Sequence, residues 1–187
     1  MSKLSLRALA LSALVGVAAF ATPAFADNPM VGGAPMFEER DIIDNAVNSA
    51  DHTTLVAAVQ AAGLVETLKS AGPFTVLAPV NAAFDALPAG TVETLLKPEN
   101  KDQLTKILTC HVIGARALSD EIAGMAMDDG GLHEVTTVGG CKLGLSVAGG
   151  KVWITDEAGG TATVTIADVL QSNGVIHVID KVLLPAM

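Results

Sequence analysis

The spacing of apolar residues along the chain changes once, near Gly114. Before it, apolar positions recur every three or four residues, as the buried stripe of a helix does. In DIIDNAVNSA the stripe is Ile42, Ile43, Ala46 and Val47, with Asp41 at the amino end where its charge suits the helix dipole. In DHTTLVAAVQAAG it is Leu55, Val56, Val59 and Ala62, and Gly63 stands where a left-handed cap ends a helix. LVETLKSAG adds a turn or two. In KDQLTKILTC the stripe is Leu104, Ile107 and Leu108, and Asn100 and Gln103 have the spacing of a capping box. Beyond Gly114 the period shortens. SDEIAGM fits one helical turn, whereas HEVTTV, KLGLSV, KVWIT and TATVTIADV read as short strands divided by glycine or acidic turns. NGVIHVIDKVLLP is apolar almost throughout, the pattern of a central strand covered on both faces.

Within the first regime stands GPFTVLAPVNAAFDALP, residues 72–88. Phe74 to Ala78 form an apolar strand that Pro79, lacking an amide donor, brings to an end. Asn81 has the side chain to cap the short helix that follows, Phe84 and Leu87 face its core side, and Pro88 stops it. Thr91 has the same capping chemistry ahead of VETLLK. Helices first and a β-meander after predict an α+β domain, undivided by any internal repeat.

The two ends of the chain read differently. Residues 1–26 carry Lys3 and Arg7, an apolar run from Ala8 to Ala21, and Ala24-Phe25-Ala26, which predict a cleaved signal peptide. The run is too short to cross a hydrocarbon layer of about 30 Å. Export to the periplasm or outside the cell is the corresponding expectation, with no membrane span left after cleavage. Residues 27–37, with two prolines and two glycines, predict a flexible arm. Without the leader the chain has nine basic against 20 acidic residues, a net charge of 9 − 20 = −11 in place of −9. No Lys/Arg run is present, which argues against nucleic acid as a partner. With no tyrosine and one tryptophan, Trp153, a groove lined by aromatic rings is disfavoured as well.

Candidate chemistry is sparse. Ser119 has no lysine three residues on, Ser172-Asn173-Gly174 is a loose echo of a hydrolase motif, and GxSxG is absent. His111 and His177 have the chemistry of a general base and Asp168 and Asp180 that of an orienter, but no serine is marked as their partner. His52, His111, His133 and His177 are scattered without metal-ligand spacing, and Asp128, Asp129, His133 and Glu134 read as a solvated turn over a weak calcium loop. His111, after Cys110, and His177, inside the last strand, are expected to satisfy buried main-chain groups. Cys110 and Cys141 form an even pair in an exported chain, which favours a disulfide over a metal pair or two unpaired thiols. A bond closing such a loop is worth about 3 kcal/mol in the chain-entropy picture.

Taken together, residues 74–88 and 173–185 resemble the two signatures of the fasciclin, or FAS1, family, and the likeness extends over residues 38–185, so that 38–187 is expected to be one FAS1 domain. Asn81, Phe84, Asn173, Gly174 and His177 are the signature residues. Where the family has a tyrosine–histidine pair, this chain has Cys110 and His111, and the threonine usual before the asparagine is Val80. The resemblance implies a twisted, wedge-like β-sandwich with an N-terminal helical layer, secreted or surface-borne, with no enzymatic activity and no cofactor. It also implies an adhesion surface at Asp168, Val169 and Leu170, together with His111. The reading that follows is a non-catalytic module binding a protein or polysaccharide of the cell surface, matrix or biofilm. The alternative is a periplasmic carrier or sensor of a small ligand, with an apolar pocket between helices and sheet.

Overall fold

The structure, a computed structural model, describes residues 28–186. The expected signal peptide lies outside the described residues. The described residues open with a small hairpin, β1 (Met30–Val31) and β2 (Ala34–Pro35), turned by Gly32 and Gly33, both at positive φ. The segment expected to be a flexible arm is therefore packed. Val31 and Met36 are buried, and Asn45 holds the backbone of Phe37 with two hydrogen bonds, accepting from its N–H at 3.0 Å and donating to its carbonyl at 2.7 Å. Turn composition had concealed two buried anchors.

The helical layer comprises α1 (Ile42–Ala46), α2 (Thr53–Ala62) and α3 (Val65–Lys69). Asp41 caps α1 by accepting from the Asp44 N–H at 2.8 Å, and Gly63 ends α2 at φ 74°, both as the sequence implies. α1 stops earlier than its apolar stripe, so Val47 is half exposed rather than buried. Next come β3 (Phe74–Pro79), α4 (Asn81–Asp85), α5 (Thr91–Leu95) and α6 (Lys101–Cys110). The β-half contains β4 (Val112–Ile113), α7 (Ser119–Asp128), β5 (His133–Thr136), β6 (Lys142–Ala148), β7 (Lys151–Thr155), β8 (Thr161–Gln171) and β9 (Gly174–Ile179). α7 runs for ten residues where the pattern suggested a single turn.

Seven strands form one curled sheet in the order β4-β3-β9-β8-β7-β6-β5. β3 and β9, the strands of the two signatures, run parallel beside the β4 edge, in register from Phe74 beside Gly174 to Pro79 beside Ile179. Every residue of β9 is buried, which explains its unbroken apolar sequence. The sheet all but closes on itself. Just past β5, the N–H of Val138 donates to the Val112 carbonyl at 2.7 Å and that of Gly139 to the Thr109 carbonyl at 2.9 Å. The Cys110–Cys141 disulfide crosses the same seam, with its Cα atoms 5.3 Å apart. A Cβ on Gly139 would lie 2.6 Å from Thr109 Oγ1, so only glycine permits this approach.

Two cores result. One, between the helices and the β3–β9 face, includes Ile42, Leu55, Val59, Phe84, Leu104, Val169 and Ile176. The other lies inside the curl, with Leu77, Ile122, Leu143, Leu145, Ile154, Ile179 and Leu183. The architecture is the wedge-like α+β arrangement expected of the FAS1 fold.

Candidate functional site

The signature residues are spent on holding elements together. Asn81 does not cap its own helix; it is the first residue of α4, and Val80 at the cap position supplies no side-chain bond. Its Oδ1 instead accepts from the Thr54 N–H at 3.0 Å and the Thr53 hydroxyl at 3.2 Å, and its Nδ2 donates to the Ala50 carbonyl at 2.8 Å. It therefore caps α2 from a neighbouring helix, satisfying an amide that His52 at that helix's own cap position leaves unbonded. Thr91 and the Asn100–Gln103 pair are corrected in the same way. Thr91 is the first residue of α5, behind a left-handed Gly90, and Asn100 makes no cap bond but donates to the Thr94 carbonyl at 2.7 Å.

Asn173 is another long-range tie. Its Oδ1 accepts from the Ile42 N–H at 3.1 Å, and its Nδ2 donates to the Leu68 and Ser70 carbonyls at 2.7 and 3.0 Å. The start of α1 and the end of α3 are thus fixed to the β8–β9 turn. Beside it, a side chain on Gly174 would collide with the Phe74 carbonyl. Phe84 is buried in the helical core.

Asp168, Ser119 and His177 meet at the end of the sheet, where β8 slips register around Ile166 and places Asp168 at φ 57°. The N–H of Ser119 donates to Asp168 Oδ1 at 2.7 Å, and the Ser119 hydroxyl donates to Asp168 Oδ2. The carboxylate thus caps the first turn of α7, where an anion is favoured. The N–H of Asp168 donates to His177 Nδ1 at 3.2 Å, so the ring's proton sits on Nε2, which donates to the Ala117 carbonyl at 2.8 Å. The three residue types of a hydrolytic triad are therefore adjacent in the wrong order. The serine faces the carboxylate, both imidazole nitrogens are engaged by backbone, and no base touches the hydroxyl.

His111 is fully enclosed. Its Nε2 accepts from the Leu183 N–H at 2.9 Å, which leaves Nδ1–H to donate to the Ile107 carbonyl at 2.8 Å. Burial pushes its pKa down to about 4, so the ring is neutral at ordinary pH. Burial likewise lowers the pKa of His177 and of His52.

Of the four residues expected on an adhesion surface, two do not reach it. His111 is 3% exposed and Val169 is 0% exposed, because the first forms the wall of the core and the second points inward from β8. Asp168 and Leu170 are half-buried near the bulge. The structure brings Asp168 to His177 but gives its carboxylate to α7.

Sequence reasoning missed Thr75, fully buried in β3, whose hydroxyl donates to the Ala115 carbonyl at 2.6 Å and accepts from the Ala117 N–H at 2.9 Å. A lone threonine inside an apolar strand was the available signal. It also missed the buried Asn45–Gln171 pair, which sits under the hairpin. The expected pocket between helices and sheet exists as a cavity of about 40 Å³, lined by Ile42, Leu55, Val59, Val76 and Ile176. Ser49 and His52 give it one polar wall, and His52 Nε2 is without a hydrogen-bond partner among the described residues. That is room for a water or two, not for a metabolite. A larger, open groove of about 510 Å³ lies outside, between Leu87, Leu95, Ile107 and Leu184.

The fasciclin domain family matches residues 50–185 of the chain. The chain belongs to this family. It is 44% identical over 192 residues to Protein sll1483 of Synechocystis sp., covering 99% of each chain. It is 33% identical over 145 residues to Immunogenic protein MPB70 of Mycobacterium bovis, covering 75% of this chain and 66% of that one. Among solved structures it is similar to a FAS1 domain pair from the insect cell adhesion molecule fasciclin I. The TM-score there is 0.58 at 25% identity, over 75% of this chain and 45% of the pair. FAS1 domains are structural and adhesion modules rather than enzymes. Among the described residues no helix is long and apolar enough to cross a membrane, and no group of three His, Cys, Asp or Glu is placed to hold a metal ion.

Proposed function

We propose that this fasciclin-domain chain is a bacterial export product, released by cleavage after Ala26, which acts as a non-catalytic adhesion module in the periplasm or outside the cell. Its partner is a protein or polysaccharide of the cell surface, matrix or biofilm. The observation that carries this reading is the use made of polar side chains. Asn81, Asn173, Asp168, His111 and His177, the groups with the most chemistry, each tie one element to another. What remains for function is a rigid outer surface on a fold whose similar structure is named for cell adhesion. Contact through Asp168 and Leu170 at the β8 bulge belongs to the same proposal.

Deleting the gene is expected to reduce surface attachment or aggregation, and adding back the purified mature protein to restore it. Unchanged attachment in the deletion strain would count against adhesion. A second reading, carriage of a small apolar ligand, draws support from the open groove beside Leu87 and Leu184. Native mass spectrometry of protein purified from its own host separates the two, since a retained small molecule supports carriage alone.

A further inference from the structure

Residues 114–118 cross the end of the sheet between β4 and α7, and Arg116 stands in their middle. Both of its neighbours are held from beneath. Thr75 grips the Ala115 carbonyl and the Ala117 N–H, and His177 grips the Ala117 carbonyl. These two side chains, each 0% exposed, come from the parallel strands β3 and β9. The backbone on either side of Arg116 therefore cannot swing without breaking internal hydrogen bonds, while its own side chain is exposed.

Arg116 lines a depression of about 240 Å³ together with residues 71–73 and 172–174. The floor is bare backbone, because a Cβ on Gly72 would collide with the Asn173 carbonyl and one on Gly174 with that of Phe74. The N–H groups of Ala71, Gly72 and Asn173 donate to no backbone acceptor among the described residues. The Asn173 side chain cannot compete for a ligand, since it is fully used on α1 and α3. Of the two described arginines, Arg40 lies over the Phe37 ring, 4.7 Å from its centroid. Arg116 pairs with no carboxylate among the described residues, in a chain whose acidic residues outnumber its basic ones by nine.

We propose that this depression binds a carboxylate, and that the group it takes is an isolated Asp or Glu side chain on a protein partner. A guanidinium carried on a fixed stretch of backbone offers a planar fork that fits a carboxylate bidentately, and unspent amide donors around it add the concave character of an anion site. The net charge selects the occupant. A polyuronate brings a run of negative charge that an acidic surface repels, whereas a single carboxylate on an otherwise neutral or basic segment does not. This rests on the reading of the chain as an interaction module and names the chemistry of its partner.

The test is an amide-resolved NMR titration of the purified chain with acetyl-Gly-Asp-Gly-amide, its Asn counterpart and polygalacturonate. The aspartyl peptide is expected to shift the Gly72 and Asn173 amides and the Arg116 Nε–H saturably, and the Asn peptide to leave them in place. Arg116→Gln should weaken the response by about tenfold or more, and Arg116→Lys, which keeps the charge but loses the fork, by less. Because Arg116 is exposed, unchanged signals elsewhere in each variant establish that it is folded. Absence of shifts with the aspartyl peptide, or equal shifts in Arg116→Gln, would overturn the site. A stronger response to polygalacturonate than to the peptide would overturn the protein partner. The titration reads the depression and the attachment assay reads the whole chain, so either can fail without the other.

Discussion

The helical layer and the curled β-half solve the same problem with different materials. α1, α3, α4 and α5 are five residues each, too short to persist alone. The helical layer is fixed by single side chains reaching between elements, Asn173 from the β8–β9 turn to α1 and α3 and Asn81 from α4 to α2. The β-half relies on continuous ladders and on a covalent seam, Cys110–Cys141, where the sheet's two edges meet. The packing differs to match. The cavity beside His52 lies in the helical core, whereas Ile154 and Ile179 in the β core are both 0% exposed. A layer assembled from short pieces keeps a small gap.

The sharpest way to break this comparison is to empty the β core. Ile154→Ala should cost about 4 kcal/mol, near the top of the range for such truncations, because closed ladders around it cannot collapse into the void. The cavity-lining Ile42→Ala should cost less, since the short α1 can shift inward. Equal losses in denaturant unfolding would show that the two cores do not differ.

Removing the seam comes next. Cys110→Ser with Cys141→Ser should lower stability by about 3 kcal/mol. Hydrogen exchange should rise first at Val138, Gly139 and β4, whose backbone bonds share the seam, while α2 keeps its protection. Intact mass should rise by two hydrogens on reduction of the native chain; a constant mass would mean that the bond does not form.

Acid should weaken both halves together, through their histidines. His111, His177 and His52 stay neutral when folded but take up protons near pH 6.5 when unfolded. The unfolded state therefore binds more protons below that pH. The stability these groups contribute is complete above about pH 6.5 and is lost as the pH falls, for His111 down to about pH 4. His111→Gln should be less stable at pH 7 but show a shallower decline between pH 6.5 and 4 in thermal melts. An identical slope would remove His111 from the acid response.

The smallest effect concerns a single tie. Asn81→Ala should cost about 1–2 kcal/mol by uncapping α2. The loss of exchange protection should appear at Thr54 in α2, not in α4, where a sequence-local cap would have placed it. Faster exchange confined to α4 would reverse the assignment.

These contrasts also mark how far the residues could be read unaided. The parallel strands β3 and β9 were visible as apolar runs, and the Gly63 stop and Asp41 cap as local chemistry. Asn81 was seen as a capping residue, but its target lay 27 positions away, which spacing along the chain cannot reveal. The surface expected at Asp168, Val169, Leu170 and His111 fared least well, because the inward turn of Val169 depends on the bulge that precedes it. Each shift of register moves side chains to the opposite face of a strand. Thr75 and Arg116 gave almost no signal, one being a single polar residue in an apolar run and the other a lone cation in a loop.

What the sequence determined by itself were most of the element types, their order and the pairing of its two cysteines. Periodicity, glycine stops and an even cysteine count act over a few residues or over the composition as a whole. Tertiary structure decided which helix each asparagine holds, that Asp168 serves α7, and that Arg116 stands on an anchored stretch of backbone beside a bare-backbone depression. Those outcomes depend on segments tens of residues apart being brought within hydrogen-bond distance, and only the packed sheet sets that distance.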